Sequence, residues 1–198
     1  MKRLSILIAA LLIAAACTSE PGWTPEEIAL VNDSPEVMRV LVVTDDADSL
    51  LLHTPCSEFS EAMLRSHEYQ ELARKMVATV TSPEQDGVGI AGPQVGLSRR
   101  VVAVQRFDKD GYPFEVYPNI RVSAVRGDKA YGPEGCLSVP GRRGQVLRWQ
   151  DIDITYTSPH TLRDTVESVR GFTSVIFQHE CDHLDGILYV DYEDSVIK

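Results

Sequence analysis

The sequence predicts an α+β fold in which short antiparallel strands wrap around one helix near the C-terminus. Three observations carry this. Short runs of β-prone residues, several alternating apolar with polar, recur at 101–106, 115–122, 152–156 and 165–170. Turn residues punctuate them, as at Asp108-Lys109-Asp110-Gly111. The last segment, opening after Gly171 and ending near Leu184, carries His179 and His183 four residues apart. On a helix that spacing puts both imidazoles on one face, where they can grip a single cation, so the central helix is read as a metal-binding one.

Taken from the N-terminus, the chain opens on a basic Met1-Lys2-Arg3, followed by an apolar run from Leu4 to Ala16 and then Cys17. The run is too short to span a bilayer and reads as a signal peptide over 1–16. Ala14-Ala15-Ala16 directly before Cys17 has the form of a lipobox of the bacterial type. Cys17 is therefore expected to become the lipidated first residue of an exported, membrane-anchored lipoprotein on the periplasmic or cell-surface side. An ordinary cleaved leader or an uncleaved anchor are the plainer alternatives. Residues 17–34, with their Pro, Gly, Ser and Glu content, are expected to form a tether, and residues 35–198 one domain.

Residues 60–81 read as a helix with Met63, Leu72, Met76 and Val80 near one side. His67 on that helix, and His53 and His160 near turn signals, have no evident ligand partners and read as solvated. Strands at 101–106 and 115–122 join through the turn at 108–111. Ile152, Ile154 and Tyr156 alternate with polar neighbours as a half-buried strand does, and 165–170 suits its partner. With 198 residues, 43% of them hydrophobic, the chain has enough apolar material for one core, and no repeat is evident. A net charge of -10 argues against a nucleic-acid surface, and no nucleic-acid partner is expected. A monomer is expected. Of the four cysteines, Cys56 and Cys181 are left without a role and can pair in an oxidising compartment only if the fold brings them together.

Three segments carry chemistry. In Gln178-His179-Glu180-Cys181-Asp182-His183-Leu184-Asp185-Gly186, Glu180 is turned about 100° from His179 and can flank a cation without ligating it. A carboxylate there can take a proton from a water whose pKa the cation has lowered. Cys181, about 200° from His179, points away from the metal and reads as packing. In Glu134-Gly135-Cys136-Leu137-Ser138-Val139-Pro140, a cysteine on an extended segment can add a thiolate to the two imidazoles and leave a fourth position open; its plain alternative is a small buried hydrophobe. In Gly87-Val88-Gly89-Ile90-Ala91-Gly92-Pro93-Gln94-Val95-Gly96, the glycines allow close backbone approach and Gln94 offers an amide donor for a developing oxyanion. The glycine spacing is not that of a dinucleotide site.

In this order, the three segments resemble the signatures of the peptide deformylase family: a GxGΦAxxQ loop, an EGCLS segment and a QHExDHLxG helix. The last two match residue for residue. The first departs at Gly92, where the family usually has alanine, a change expected to loosen the loop while keeping Gln94 in place. The resemblance spans about residues 37–193, with weaker echoes at 48–55, where the family has an early "dpvLr" stretch, and at Arg143 and Arg148. Ser174 and Val175 are small or β-branched where many members carry arginine or another larger residue, which is expected to touch helix packing more than chemistry.

The resemblance implies a metal-dependent hydrolase that removes the N-formyl group from formylmethionyl peptides and releases formate. It implies Cys136, His179 and His183 as metal ligands and Glu180 as general base and then acid. Gln94 and the backbone N–H of Leu137 would steady the oxyanion. Gly89 and Gly135 would meet the peptide backbone, while Ile90, Ile176 and Phe177 are candidates for the methionine pocket, with core packing as the alternative. Glu134 and Asp182 are expected to orient the imidazoles, and Arg148 to hold one of those carboxylates. The implied cofactor is one divalent metal: ferrous iron, with Zn2+, Ni2+ or Co2+ as substitutes. Zinc suits the same ligands without redox risk outside the cell.

An exported enzyme does not meet nascent chains, so the expected substrates are formylated peptides outside the cytoplasm, with other N-acylated peptides as the alternative. Two rivals come from other classes. A zinc endopeptidase shares His179, Glu180 and His183 but normally takes its third ligand downstream, whereas Cys136 lies upstream. A peptide-binding lipoprotein without turnover has no need of Glu180.

Overall fold

A computed structural model of the chain describes residues 22–192 and the backbone of 196–197. The expected signal peptide and Cys17 lie outside the described residues. The tether expected at 17–34 is not one where it is described. Thr24 caps helix α1 (Pro25–Asp33) in a reciprocal capping box with Glu27, proline takes the first turn, and Val31 is fully buried. The acidic, proline-bearing composition that suggested a linker is that of a helix N-terminus.

Helix α2 (Asp46–Leu52) follows, capped by Asp45, and overlaps the weak family echo at 48–55. The helix expected over 60–81 is two: α3 (Glu61–Leu64) and α4 (His67–Val80). Ser66 breaks it, its hydroxyl donating to the Met63 carbonyl and accepting from the Tyr69 N–H at the start of α4. Met63, Leu72, Met76 and Val80 are all fully buried, as their spacing predicts.

Strands β1 (Gly89–Ala91), β2 (Val101–Gln105) and β3 (Phe114–Pro118) make an antiparallel sheet in that order. β2 alternates between two cores. Val101 and Ala103 face α4, and Val102 and Val104 face the C-terminal helix. A strand covered on both sides has no polar face, which accounts for its unbroken Val-Val-Ala-Val run.

The second sheet comprises β4 (Arg121–Cys136), β5 (Val139–Thr157) and β6 (Asp164–Arg170), with β7 (Val196–Ile197) pairing to β5. The strand expected at 115–122 is interrupted at Asn119, whose positive φ of 54° turns the chain from one sheet to the other. The Asn119 side chain secures this corner, accepting from Phe59 N–H at 2.7 Å and donating to Phe59 carbonyl oxygen at 3.0 Å. Helix α5 (Phe172–Leu184) lies where its periodicity placed it, packed by Ile176, Phe177, Cys181 and Leu184 between the sheets. Cys56 and Cys181 are free thiols, both on this core; burial pushes the Cys56 thiol up to about 12 and the Cys181 thiol higher than usual. No described helix is long and apolar enough to cross a membrane.

Candidate metal centre and active site

α5 delivers His179 and His183 from successive turns, with ring centroids 5.1 Å apart. The β4–β5 hairpin delivers Cys136, the last residue of β4, just before the chain reverses at Leu137 and Ser138. Cys136 Sγ lies 3.1 Å from His183 Nε2, and one ligand atom from each of the three residues falls within 4.8 Å of the others. The donor set fits a divalent cation. Burial raises the Cys136 thiol, but the two imidazoles beside it outweigh that and hold it well below its ordinary value, in the thiolate form a metal requires. His179 Nδ1 is engaged by Glu134 Oε2 at 2.8 Å, which leaves its Nε2 for the metal.

Behind the ligands stands a buried ionic relay. Arg148 donates to both oxygens of Glu134 at 2.7 and 3.0 Å, and a further nitrogen reaches Asp182 at 2.5 Å. Burial raises the Glu134 carboxyl, but its hydrogen bond with His179 and the Arg148 guanidinium bring it down to about 2. Asp182 also accepts from the Tyr192 hydroxyl at 2.8 Å. Thus Glu134 orients an imidazole directly, whereas Asp182 bonds Arg148 and Tyr192 among the described residues. Gln178 ties the helix to the sheet, accepting from Trp149 N–H and donating to its carbonyl.

Glu180 sits inside this shell, 3% exposed, and Oε2 has no hydrogen-bond partner among the described residues. Burial raises its pKa to about 7 against the pull of the two imidazoles. Gly89 makes room for it: a Cβ there would lie 2.4 Å from Glu180 Oε1 and 2.9 Å from Ile176 Cγ2. Gln94 is carried by the 3₁₀ turn Gly92–Val95. Its Oε1 accepts from the Ala91 N–H at 2.9 Å, which aims Nε2 at Ser138 Oγ (3.1 Å) and Cys136 Sγ (3.5 Å).

The loosening expected of Gly92 does not occur. A Cβ at that position would meet the Arg99 and Leu97 carbonyl oxygens at 2.5 and 2.9 Å, so the glycine marks a tight backbone crossing.

A cleft of about 950 Å³ opens over these groups. Gly89, Gly135, Leu137 and Ile176 line it as expected. Ile90 does not; it is fully buried against α4, because neighbouring residues on a strand face opposite ways. Phe177 is likewise core. Missed from sequence were Phe172 and Val175, which line the cleft. Both stand one or two turns before His179 on its own helix face, so the 3.6-residue period could have found them. Ser138, the partner of Gln94, carried no signal beyond its place in the cysteine segment.

The profile of the polypeptide deformylase family matches residues 38–197. The chain belongs to this family. The deformylase of Leptospira biflexa is 33% identical over 148 residues, covering 71% of this chain and 81% of that one. That of Desulforudis audaxviator is 38% identical over 131 residues, 66% of this chain and 81% of the other. Among solved structures, the Acinetobacter baumannii class I type b deformylase bound to Met-Ala-Ser superposes with a TM-score of 0.69 at 35% identity, covering 78% and 97% of the two chains. The same enzyme bound to actinonin gives 0.68. The chain is thus a deformylase, a metal-dependent hydrolase of peptide substrates, and Cys136, His179 and His183 form a group able to hold its metal.

Proposed function

We propose that this deformylase removes the formyl group of formylmethionyl peptides, leaving formate and a free α-amine, with Glu180 as the proton carrier. The observation that supports this most is the buried Glu180 Oε2, without a hydrogen-bond partner among the described residues and lining the cleft with Cys136 and His179. A divalent cation held by Cys136, His179 and His183, ferrous iron first and zinc, nickel or cobalt as substitutes, would polarise the formyl carbonyl and acidify a water. Glu180 takes the proton of the attacking water and returns it to the leaving nitrogen. Gln94 Nε2 and the Leu137 N–H donate to the oxygen that gains charge. Gly89 and Gly135 face an extended peptide with their backbones, and it joins the sheet as an added strand. Ile176, with Phe172 and Val175, offers the apolar wall for the methionine side chain.

The test is formate release from formyl-Met-Ala-Ser by the protein loaded anaerobically with iron. Glu180→Ala should abolish turnover while leaving the metal bound. Turnover unchanged in that variant would remove Glu180 from the chemistry.

We further propose that the protein works as an exported, monomeric lipoprotein anchored through Cys17, on formylated peptides outside the cytoplasm. Support comes from the basic start, the apolar run to Ala16 and the small residues before Cys17. Labelled palmitate should enter the parent and not Cys17→Ala; equal labelling of both would refute the anchor.

A further inference from the structure

Helix α1 precedes the family match, which begins at residue 38, yet it is built into the body. Val31 is fully buried, and Leu30 and Trp23 pack on the α4 cluster. From its first turn, Glu27 accepts from Arg99 Nε at 2.6 Å and from a terminal guanidinium nitrogen at 3.0 Å. The remaining contacts of that guanidinium are the Glu58 and Gly22 carbonyls, at 3.0 and 3.3 Å. Among the described residues, the Arg99 side chain, 8% exposed, is neutralised by Glu27 alone.

The backbone that carries this side chain presses on the turn that carries Gln94. Leu97 N–H donates to the Gly92 carbonyl at 3.0 Å, and residues 97–99 fill the space that a Gly92 Cβ would need. From α1 itself, Leu30 stands 3.7 Å from the Cβ position of Gly96, which closes the same turn. Gln94 is thus held by Ala91, Ser138 and the Leu41 N–H on a turn whose two ends, Gly92 and Gly96, meet the 97–99 loop and α1.

We infer that α1 is a brace for the amide of Gln94, with Glu27 and Arg99 as positioning residues that set its distance from the reacting carbonyl oxygen. This rests on the role proposed above for Gln94. Without the Glu27 carboxylate, Arg99 is a nearly buried charge with only carbonyl partners, and it moves toward water. Its backbone then lifts off Gly92, the turn relaxes, and Gln94 Nε2 leaves its place beside Ser138. The apolar cleft wall of Phe172, Val175 and Ile176 and the two histidines are on α5, away from this turn.

The test is a double-mutant cycle in the full-length, iron-loaded chain in detergent, with formyl-Met-Ala-Ser as substrate. Glu27→Gln, close to isosteric, should lower kcat by about 10-fold with KM and bound metal unchanged, the scale expected of a sub-ångström displacement. Gly92→Ala forces the turn and the 97–99 loop apart and should lower kcat similarly, and the double variant should be little worse than the poorer single one. Gln94→Ala should lower kcat by about 10²–10³-fold. Unchanged kcat in Glu27→Gln, or fully additive losses in the double variant, overturns the brace even where Gln94→Ala is impaired. Unchanged kcat in Gln94→Ala overturns the role of Gln94 on which the brace rests.

Discussion

Adding one methyl group at Gly89 is the most direct trial of how the active site is assembled. The new Cβ would lie 2.4 Å from Glu180 Oε1, where ordinary contact begins at 3.4 Å, so carboxylate and strand must separate by about 1 Å. The carboxylate end of the Glu180 side chain is the part that moves. Ile176 Cγ2 blocks the adjacent direction at 2.9 Å, and β1 is paired to β2 along its length. Overpacking of this kind costs about 1–3 kcal/mol, which the fold should survive. A catalytic group misplaced by about 1 Å loses on the order of 10² in rate. Gly89→Ala should therefore fold, retain its metal, and lower kcat on formyl-Met-Ala-Ser by about 10²-fold. The assay is formate release under anaerobic iron loading, with metal content measured on the same sample. Wild-type kcat with full metal occupancy would refute the reasoning, since it would mean that Glu180 has room the structure denies it or does not carry the proton.

Other consequences concern the relay behind the ligands. Arg148→Met leaves the buried Glu134 carboxylate without its guanidinium, so stability should fall by about 3–5 kcal/mol and metal affinity by about 10–100-fold; urea titration and competition with a chelator read the two, and parental values in both would exclude the relay. The Glu134 carboxyl has its folded-state pKa lowered from 4.5 to about 2, so its contribution is fully present above the unfolded value and is lost as pH falls through the folded one. In metal-free protein this carboxylate should supply about 3 kcal/mol at neutral pH, draining away between pH 4.5 and about 2. Glu134→Gln should flatten that part of the stability curve, and an acid slope identical to the parent's would refute the assignment.

The chemistry was legible where it depends on local spacing. His179, Glu180 and His183 owe their relation to the helical period, and α5 spans the residues that period indicated. The Gly-rich loop and the cysteine segment were legible as motifs, though not the reversal at Leu137 and Ser138 immediately after Cys136. The long β4–β5 hairpin left little trace, because β4 is almost wholly exposed and lacks a buried face to impose alternation. Helix α1 was misread because capping boxes and linkers draw on the same polar residues, and only burial of Val31 and the Glu27–Arg99 pair distinguishes them. Ile90 was misplaced for a related reason: a strand's two faces are equivalent in sequence until a neighbouring layer covers each.

What the sequence determined by itself was the pair of histidines with Glu180 between them and the helix that presents them, since these rest on a periodicity within a few residues. The tertiary structure alone decided that Cys136 meets His183 across 47 positions, that Arg148 neutralises Glu134, that Gly89 leaves space for Glu180, and that Glu27 of an N-terminal helix pairs with Arg99. Those relations join residues far apart in the chain, and contact between such residues is set by the packing of whole elements, which no local pattern encodes.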